Sequence, residues 1–285
     1  MEVVSNDAPD GNTGAPAADL HIHTTASDGT LTIPELPDAA RAAGIDIVAV
    51  TDHDRIHPEL DAPVQNLAGV TVIRGIELRV EAEAQRLDLL GYGVTDTDAL
   101  EAMTDRIQRN RKERAAEIVD RVETHTGVAI DIEIREGIGR PTIARAIADS
   151  DAPYDYSGAF EHLIGAGGPC YVAREIPTFA EGVAALGESC AVVALAHPFR
   201  YSDTQSALDR ARELDAIERY YHYSGAAADR ADPERIDEVA AEATLLRTGG
   251  SDAHNRTLGV AGPPVPAFDS FADRVPDLAP ESRRG

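Results

Sequence analysis

Five times along this chain an apolar, strand-like run ends in side chains of the type that bind metal ions. That repetition restricts the fold more than any other feature of the sequence. The first instance is Ala18 to Gly29, Ala-Asp-Leu-His-Ile-His-Thr-Thr-Ala-Ser-Asp-Gly. Side chains alternate between the faces of a strand, so Asp19, His21 and His23 share one side while Leu20 and Ile22 share the other. Two imidazoles about 7 Å apart along a strand can converge on one ion while the apolar pair anchors the strand in a core. An isolated His-x-His is equally what two surface histidines on an edge strand look like. Four further strand ends argue against that here: Thr51-Asp52-His53-Asp54, Gly75-Ile76-Glu77, Ala196-His197-Pro198 and Gly250-Ser251-Asp252-Ala253-His254. In parallel α/β barrels the functional groups gather at the carboxyl ends of the strands, which is where these motifs fall.

Taken in order, residues 1–17 lack any periodic pattern and read as a disordered tail. A helical stripe over Thr30 to Gly44 ends at a glycine suited to a C-terminal cap. Ile45 to Thr51 is a continuous apolar strand of the kind buried on both faces, and Val70 to Val80 and Arg86 to Tyr92 read as further strands. Strand, helix, strand in succession predicts a parallel α/β architecture. The rhythm changes after Tyr92. A long amphipathic helix over Asp98 to Thr126 is followed by helical segments near Thr142 to Ala148, Tyr156 to Leu163 and Thr178 to Leu186. Ala191 to Ala196 resumes the strand pattern, with Ala216 to Tyr221 and Thr244 to Thr248 as the last strands and helices near Gln205 to Leu214 and Pro233 to Ala243 between them. The predicted division is an α/β barrel from 18–95 and 190–265, a helical insertion over the site from 96–189, and a peripheral extension from 266–285.

Composition narrows the setting. The formal net charge is −24, and Lys112 is the sole lysine. Self-repulsion on that scale opposes a compact state in dilute buffer, but the Debye length shrinks to about 3 Å at 1 M salt. An acidic, lysine-poor chain of this kind resembles proteins of salt-accumulating halophiles, most of all haloarchaea. Net charge also disfavours duplex nucleic-acid binding. No apolar run approaches the roughly 18 residues of a membrane span, and two cysteines, Cys170 and Cys190, point to a reducing cytoplasm.

The candidate ligands are His21, His23, Asp28, His53, Glu77, His197, Asp252 and His254. Imidazole and carboxylate without thiolate favour Mn²⁺, Zn²⁺ or Fe²⁺. There are more ligands than one ion takes, so two or three divalent ions are expected, with Glu77 bridging. Such clusters generate hydroxide from bound water and clamp a phosphoryl group during in-line displacement. Asp19 and Asp52 read as outer partners that orient imidazoles.

The order His-x-His, Ser-Asp-Gly, Thr-Asp-His, Gly-x-Glu, Ala-His-Pro, Ser-Asp-x-His resembles the PHP (polymerase and histidinol phosphatase) superfamily over roughly residues 18–262. The likeness is greatest to stand-alone phosphoesterases with a helical insertion, which include nucleoside 3′,5′-bisphosphate phosphatases and 5′–3′ exonucleases on short RNA. The resemblance implies a distorted (β/α)7 barrel. It implies His21, His23, Glu77 and Asp252 on one ion, Asp28, His53 and His254 on another, and Glu77 with His197 on a third. Where that third site usually has a histidine, this chain has Asp88, which either ligates with altered preference or leaves two ions. Thr142 likewise stands where relatives often carry histidine.

Arg140 and Arg174 are the expected phosphate clamps, and His222 is the candidate donor of a proton to the leaving oxygen. The run Arg106, Arg109, Arg111, Lys112, Arg114 reads as a solvated helix face with pairs such as Glu117–Arg121, a track for a nucleotide chain being the other reading. Among Tyr220, Tyr221 and Tyr223, core packing is the commoner use and base stacking the other. The expectation is a cytoplasmic phosphoesterase acting on a small phosphorylated nucleotide. The alternatives are a 5′–3′ exonuclease on short RNA or DNA and a catalytically inactive metal-binding module. An amidohydrolase barrel also begins with His-x-His, but many of those bridge their metals with a carboxylated lysine on a barrel strand, and Lys112 falls in the insertion.

Overall fold

The computed structural model describes residues 15–83 and 85–278. Most of the predicted N-terminal tail therefore lies outside the described residues. Of its last residues, Ala17 donates its backbone N–H to the carbonyl of Pro263. The strands are β1 (Asp19–Ile22), β2 (Ile47–Val50), β3 (Val64–Leu67), β4 (Val70–Ala82), β5 (Gln85–Tyr92), β6 (Val192–Leu195), β7 (Ala216–Tyr221) and β8 (Leu246–Gly250). They hydrogen-bond in the order β1-β2-β4-β5-β6-β7-β8, with β3 attached to β4. Beyond β8, Ala253 bridges back to Ile22. A Cβ on Gly250 would lie 2.3 Å from the backbone nitrogen of His21, so only glycine lets β8 approach β1 this closely. The result is the nearly closed, distorted seven-stranded α/β barrel that the sequence predicts.

β2 shows why these segments become barrel strands. Val48 and Val50 face α1 (Leu36–Ala43) through Leu36, Ala39 and Ala40, while Ala49 faces inward with Leu20 and Ile73. An all-apolar strand has both faces covered, as in other parallel sheets. α1 ends where predicted, with Gly44 in the left-handed conformation at φ 71°.

Two strand features depart from the expected parallel alternation. β5 is antiparallel to both β4 and β6, because β4 turns directly back into it as a hairpin. β3, which the sequence reading lacks, is the outer arm of a second hairpin on β4, turned by Ala68 and Gly69 at positive φ. Its Val-Gln-Asn-Leu sequence is too short and polar to show as a strand by periodicity.

The long helix α2 (Asp98–Thr126) runs through the predicted span and joins two cores. Leu100 and Ile107 pack in the cluster of Ile76, Leu78 and Val193, whereas Ala115, Ile118 and Val122 pack with α3 (Arg140–Ala148) around Ile143, Ile147, Leu163 and Ile164. After the short α4 (Tyr156–Ala159), α5 (Phe179–Ser189), capped by Thr178, also lies on the barrel, and a Cβ on its Gly182 would meet Val80 at 2.5 Å; α6 (Thr204–Ala211) follows β6 and α7 (Pro233–Ala243) follows β7. The segment expected to be peripheral after Val265 is instead structural. α8 (Val265–Ala272) and the residues just after it bury Phe271, Ala272 and Val275 against Leu20, Leu90 and Tyr92, with Phe271 edge-on to Tyr92 at 5.1 Å. Its Pro/Asp-rich composition conceals a short amphipathic helix that closes the end of the barrel opposite the candidate ligands. Replacing Phe271 by alanine is therefore expected to cost about 3–5 kcal/mol in chemical denaturation, whereas a merely peripheral segment would tolerate the change.

Candidate metal centre

Glu77 lies within β4, where its backbone joins the turn after β2: Glu77 N donates to Asp52 O, and Asp54 N donates to Glu77 O at 2.8 Å. This places a carboxylate with 1% exposure among four imidazoles. Its Oε1 is 3.0 Å from His197 Nε2 and 3.5 Å from His21 Nε2, and its Oε2 is 2.7 Å from His53 Nδ1 and 3.4 Å from His23 Nε2. Burial pushes this carboxyl up, but His53 and His21 outweigh it and hold it well below the usual range.

Around Glu77 the predicted ligands meet. Ligand-type atoms of His23, Asp28, His53 and His254 lie within 4.8 Å of one another, as do those of His21, His23 and Asp252, and those of Glu77, Asp88 and His197. Residues from 21 to 254 thus reach one neighbourhood. The donor set suits divalent ions: only imidazole and carboxylate atoms converge, and His21 Nε2 and His23 Nε2 face each other at 3.2 Å. The buried Nδ1 atoms of His23 and His197 have no hydrogen-bond partner. Burial would lower His53, yet Glu77, followed by Asp28 and Asp88, raises it to about 9. His21, through Glu218 and Glu77, and His254, through Asp28, also rise against their burial. Protons hold these sites in the absence of a cation, and a cation would displace them.

Neighbouring side chains fix the aim of these groups. Glu218 on β7, fully buried, accepts from His21 Nδ1 at 3.1 Å and from the backbone N–H of His197 at 2.7 Å, so His21 presents Nε2 to the centre. Sequence reasoning missed Glu218, although its place in the short strand after Ala216 was a usable signal. Asp252 Oδ2 accepts from Arg200 and from Tyr221, which turns Oδ1 toward His21 and His23. Asp19 and Asp52 do not contact imidazoles as expected. Asp19 accepts from Ser251 and Gly259, and Asp52 from Thr24 and Ser27, so each pins a ligand-bearing loop. Both are short acids whose oxygens are taken up by the backbone N–H groups and hydroxyls of the adjoining loops. His197 and Asp252 have positive φ, 30° and 52°, as does Asp54 at 55°, a concentration of unfavourable backbone at this site.

The centre opens onto a cavity lined by Arg79, Arg86, Arg111, Arg114, Arg140 and Arg174 together with Phe160 and Tyr171. Arg140 has no carboxylate within ion-pair distance among the described residues; it lies 5.7 Å from the Phe160 ring and 5.9 Å from the Tyr171 ring. Arg174 reaches the cavity too, but it and Arg111 both bond Asp54 Oδ2 at 2.6 Å, so Arg174 also anchors the helical region to the barrel. Arg111 and Arg114 correct the reading of the basic run as a solvated face, since one is buried on Asp54 and the other donates to Val172 O beside the cavity. Burial and then Arg140 and Arg174 lower Arg114 to about 10. His222 does not join the site. It is exposed, while its neighbour Tyr221 turns inward to Asp252, and the role expected of it is withdrawn.

The direction of the His53 shift gives a test. A histidine raised from about 6.5 to about 9 stabilises the folded state fully below the lower value and loses that contribution as pH rises through the upper one. Metal-free protein is expected to melt at lower temperature at pH 9 than at pH 6.5, and a divalent ion should restore the loss. Equal melting temperatures in chelator at both pH values would contradict this.

Known proteins place this geometry. Residues 19–164 match the PHP domain family. A 5′–3′ exoribonuclease of Haemophilus influenzae is 30% identical over 196 residues, which is 65% of this chain and 70% of that one. A 3′,5′-nucleoside bisphosphate phosphatase of Chromobacterium violaceum is 29% identical over 201 residues, 67% of this chain and 70% of that one. A solved structure from Bifidobacterium adolescentis, assigned as a metal-dependent phosphoesterase, superposes with a TM-score of 0.71 at 25% identity, covering 93% of this chain and 99% of that one. Fold and sequence agree: the chain belongs to the PHP domain family.

Proposed function

We propose that this enzyme of the PHP phosphoesterase family removes phosphate from small nucleotides that carry a second anionic group, as nucleoside 3′,5′-bisphosphates do. The observation that carries the reading is the arginine-lined cavity directly beside the imidazole–carboxylate centre, in a chain whose net charge is −24. Arg79 pairs with Asp88, Arg86 with Glu81, and Arg111 and Arg174 with Asp54, which leaves Arg114 and Arg140 as the two without a carboxylate among the described residues and ready for an anion. Phe160 and Tyr171 supply flat apolar surface for a base or sugar.

In this mechanism His21, His23, Asp252 and Glu77 would hold one divalent ion, and His23, Asp28, His53 and His254 the other; His23 borders both sets. Bound Mn²⁺, Zn²⁺ or Fe²⁺ would supply Lewis-acid polarisation of the phosphoryl oxygens and a lowered pKa for the attacking water. Glu218 holds His21 in the tautomer that presents Nε2, and Arg200 with Tyr221 keeps Asp252 Oδ1 aimed inward. Arg140 and Arg114, free of carboxylate partners among the described residues, take the oxygens of the distal anion. Arg174 keeps its place on Asp54 and lends charge to the same wall.

A second reading, stepwise trimming of short RNA or DNA from the 5′ end, is supported by the exoribonuclease relative. The groove that adjoins the cavity at Ile176 weighs against it, because it carries Glu175 and Glu181, with Arg106 committed to Glu181. A polyanion following that path would meet carboxylates. The two free cysteines and the acid-rich composition fit a reducing cytoplasm of high salt content, the setting we propose.

A screen of nucleoside bisphosphates, mononucleotides and 5′-phosphorylated short oligonucleotides in Mn²⁺ and 2 M KCl tests the choice. Release of phosphate from bisphosphates, abolished by chelator and by His21→Ala, is the expected result; shortening of the oligonucleotides to mononucleotides would favour the second reading. Arg140→Ala should raise KM for a bisphosphate about tenfold or more, the loss of one charge-assisted contact, with little change for a mononucleotide. Melting temperature should climb between 0.1 and 2 M KCl, and a flat profile would remove the high-salt assignment.

A further inference from the structure

Of the three ligand clusters, that of Glu77, Asp88 and His197 contains a cation of its own. Arg79 on β4 is in register with Asp88 on β5, so the two side chains leave adjacent positions of the antiparallel pair. Arg79 Nε donates to Asp88 Oδ1 and Nη2 to Oδ2, each at 2.7 Å, with the carboxylate 5% exposed. The fork occupies both oxygens. Asp252 offers the contrast: Arg200 takes only its Oδ2, and Oδ1 remains directed at His21 and His23. Both oxygens of Asp88 already carry an arm of a guanidinium, and Oδ2 lies 3.8 Å from His197 Nε2. An ion on Asp88 would either displace one arm or share an oxygen with it, and in both cases two cations would sit side by side.

The fork also leaves a guanidinium with unused donors. Of its five N–H groups, two point at Asp88 and three remain, both on Nη1 and one on Nη2. Arg79 lines the cavity, alongside His53 and Asp28 of the metal centre.

We propose that Arg79, held by Asp88, stands in the place of a third ion, as a fixed cation that binds an oxygen of the phosphoryl group, and that Asp88 is a positioning residue and not a metal ligand. This rests on the reading that the cavity accepts a phosphate ester, and it extends that reading to the ion count. An arginine carries a single charge, cannot be chelated and does not exchange. The enzyme then depends on divalent metal at two positions and on a permanent positive charge at the third.

Two measurements on the full chain test this, and neither needs turnover. The first counts bound Mn²⁺ by elemental mass spectrometry after desalting in 2 M KCl, in the native chain and in Asp88→Asn. An unchanged count is expected, and loss of an ion with Asp88 would overturn the proposal. The second measures inorganic phosphate binding to the Mn²⁺-loaded chain by calorimetry in the native chain and in Arg79→Gln, which keeps much of the side chain and removes the charge. Phosphate should bind at least about fivefold more weakly to the variant, and any smaller change would overturn the proposal even if Asp88→Asn failed to fold. If both results hold while no nucleotide is hydrolysed, it is the substrate assignment that falls.

Discussion

One buried carboxylate surrounded by four imidazoles is the contact on which the rest of this molecule depends. Glu77 cannot stay charged at 1% exposure without partners: His53 and His21 supply positive charge, and His197 and His23 close around its oxygens, the four coming from the ends of three other strands. Further out, other acids hold the elements that carry the site. Glu218 fixes His21 and the start of the turn at His197, while Asp19 and Asp52 pin the loops that leave β8 and β1. Closing the barrel and assembling the centre are therefore the same event, since the strands that meet at Gly250 and His21 bring the two ends of the ligand set together.

A second buried carboxylate governs how the helical region sits over the mouth. Asp54 comes directly after His53 and takes both Arg111 and Arg174 on one oxygen. Burial would raise its pKa, but Arg174 and Arg111 hold it well below the ordinary range. The residue next to a metal-ligand candidate is thus the anchor of the cavity wall, so the position of the arginines and that of the imidazoles are set by consecutive residues of one turn.

Much of this was legible in the sequence because ligand chemistry is local and strand ends are easy to see. His21, His23, His53, Glu77, His197, Asp252 and His254 all follow or end apolar runs, and all reach the centre. Long-range partners were the part that failed to show. Glu218 looks like any glutamate until its strand lies beside His21, and Arg111 looks solvated until α2 turns it onto Asp54. His222 failed for the opposite reason, a one-residue matter of strand phase near the irregular pairing of Glu218 to Tyr220, which left Tyr221 facing the site. The hairpins escaped notice because periodicity reports burial and not direction. α8 was hidden by composition, its two phenylalanines set among the prolines and aspartates of the C-terminal stretch.

The reversed direction of β5 has a consequence for everything after it. A forward strand would have delivered the chain to the mouth, ready to form a lid; β5 instead leaves it at Tyr92, near Phe271 at the closed end. The chain must climb back along the outside, and α2, with its 29 residues, does so over roughly 43 Å. Its lower half is cemented to the barrel wall and its upper half forms the spine of the cavity roof. One rigid rod therefore sets the height of that roof above the reactive groups. Adding or deleting a turn in it would move the whole ceiling by about 5 Å, a ready means by which a chain of this topology could exchange short ligands for longer ones.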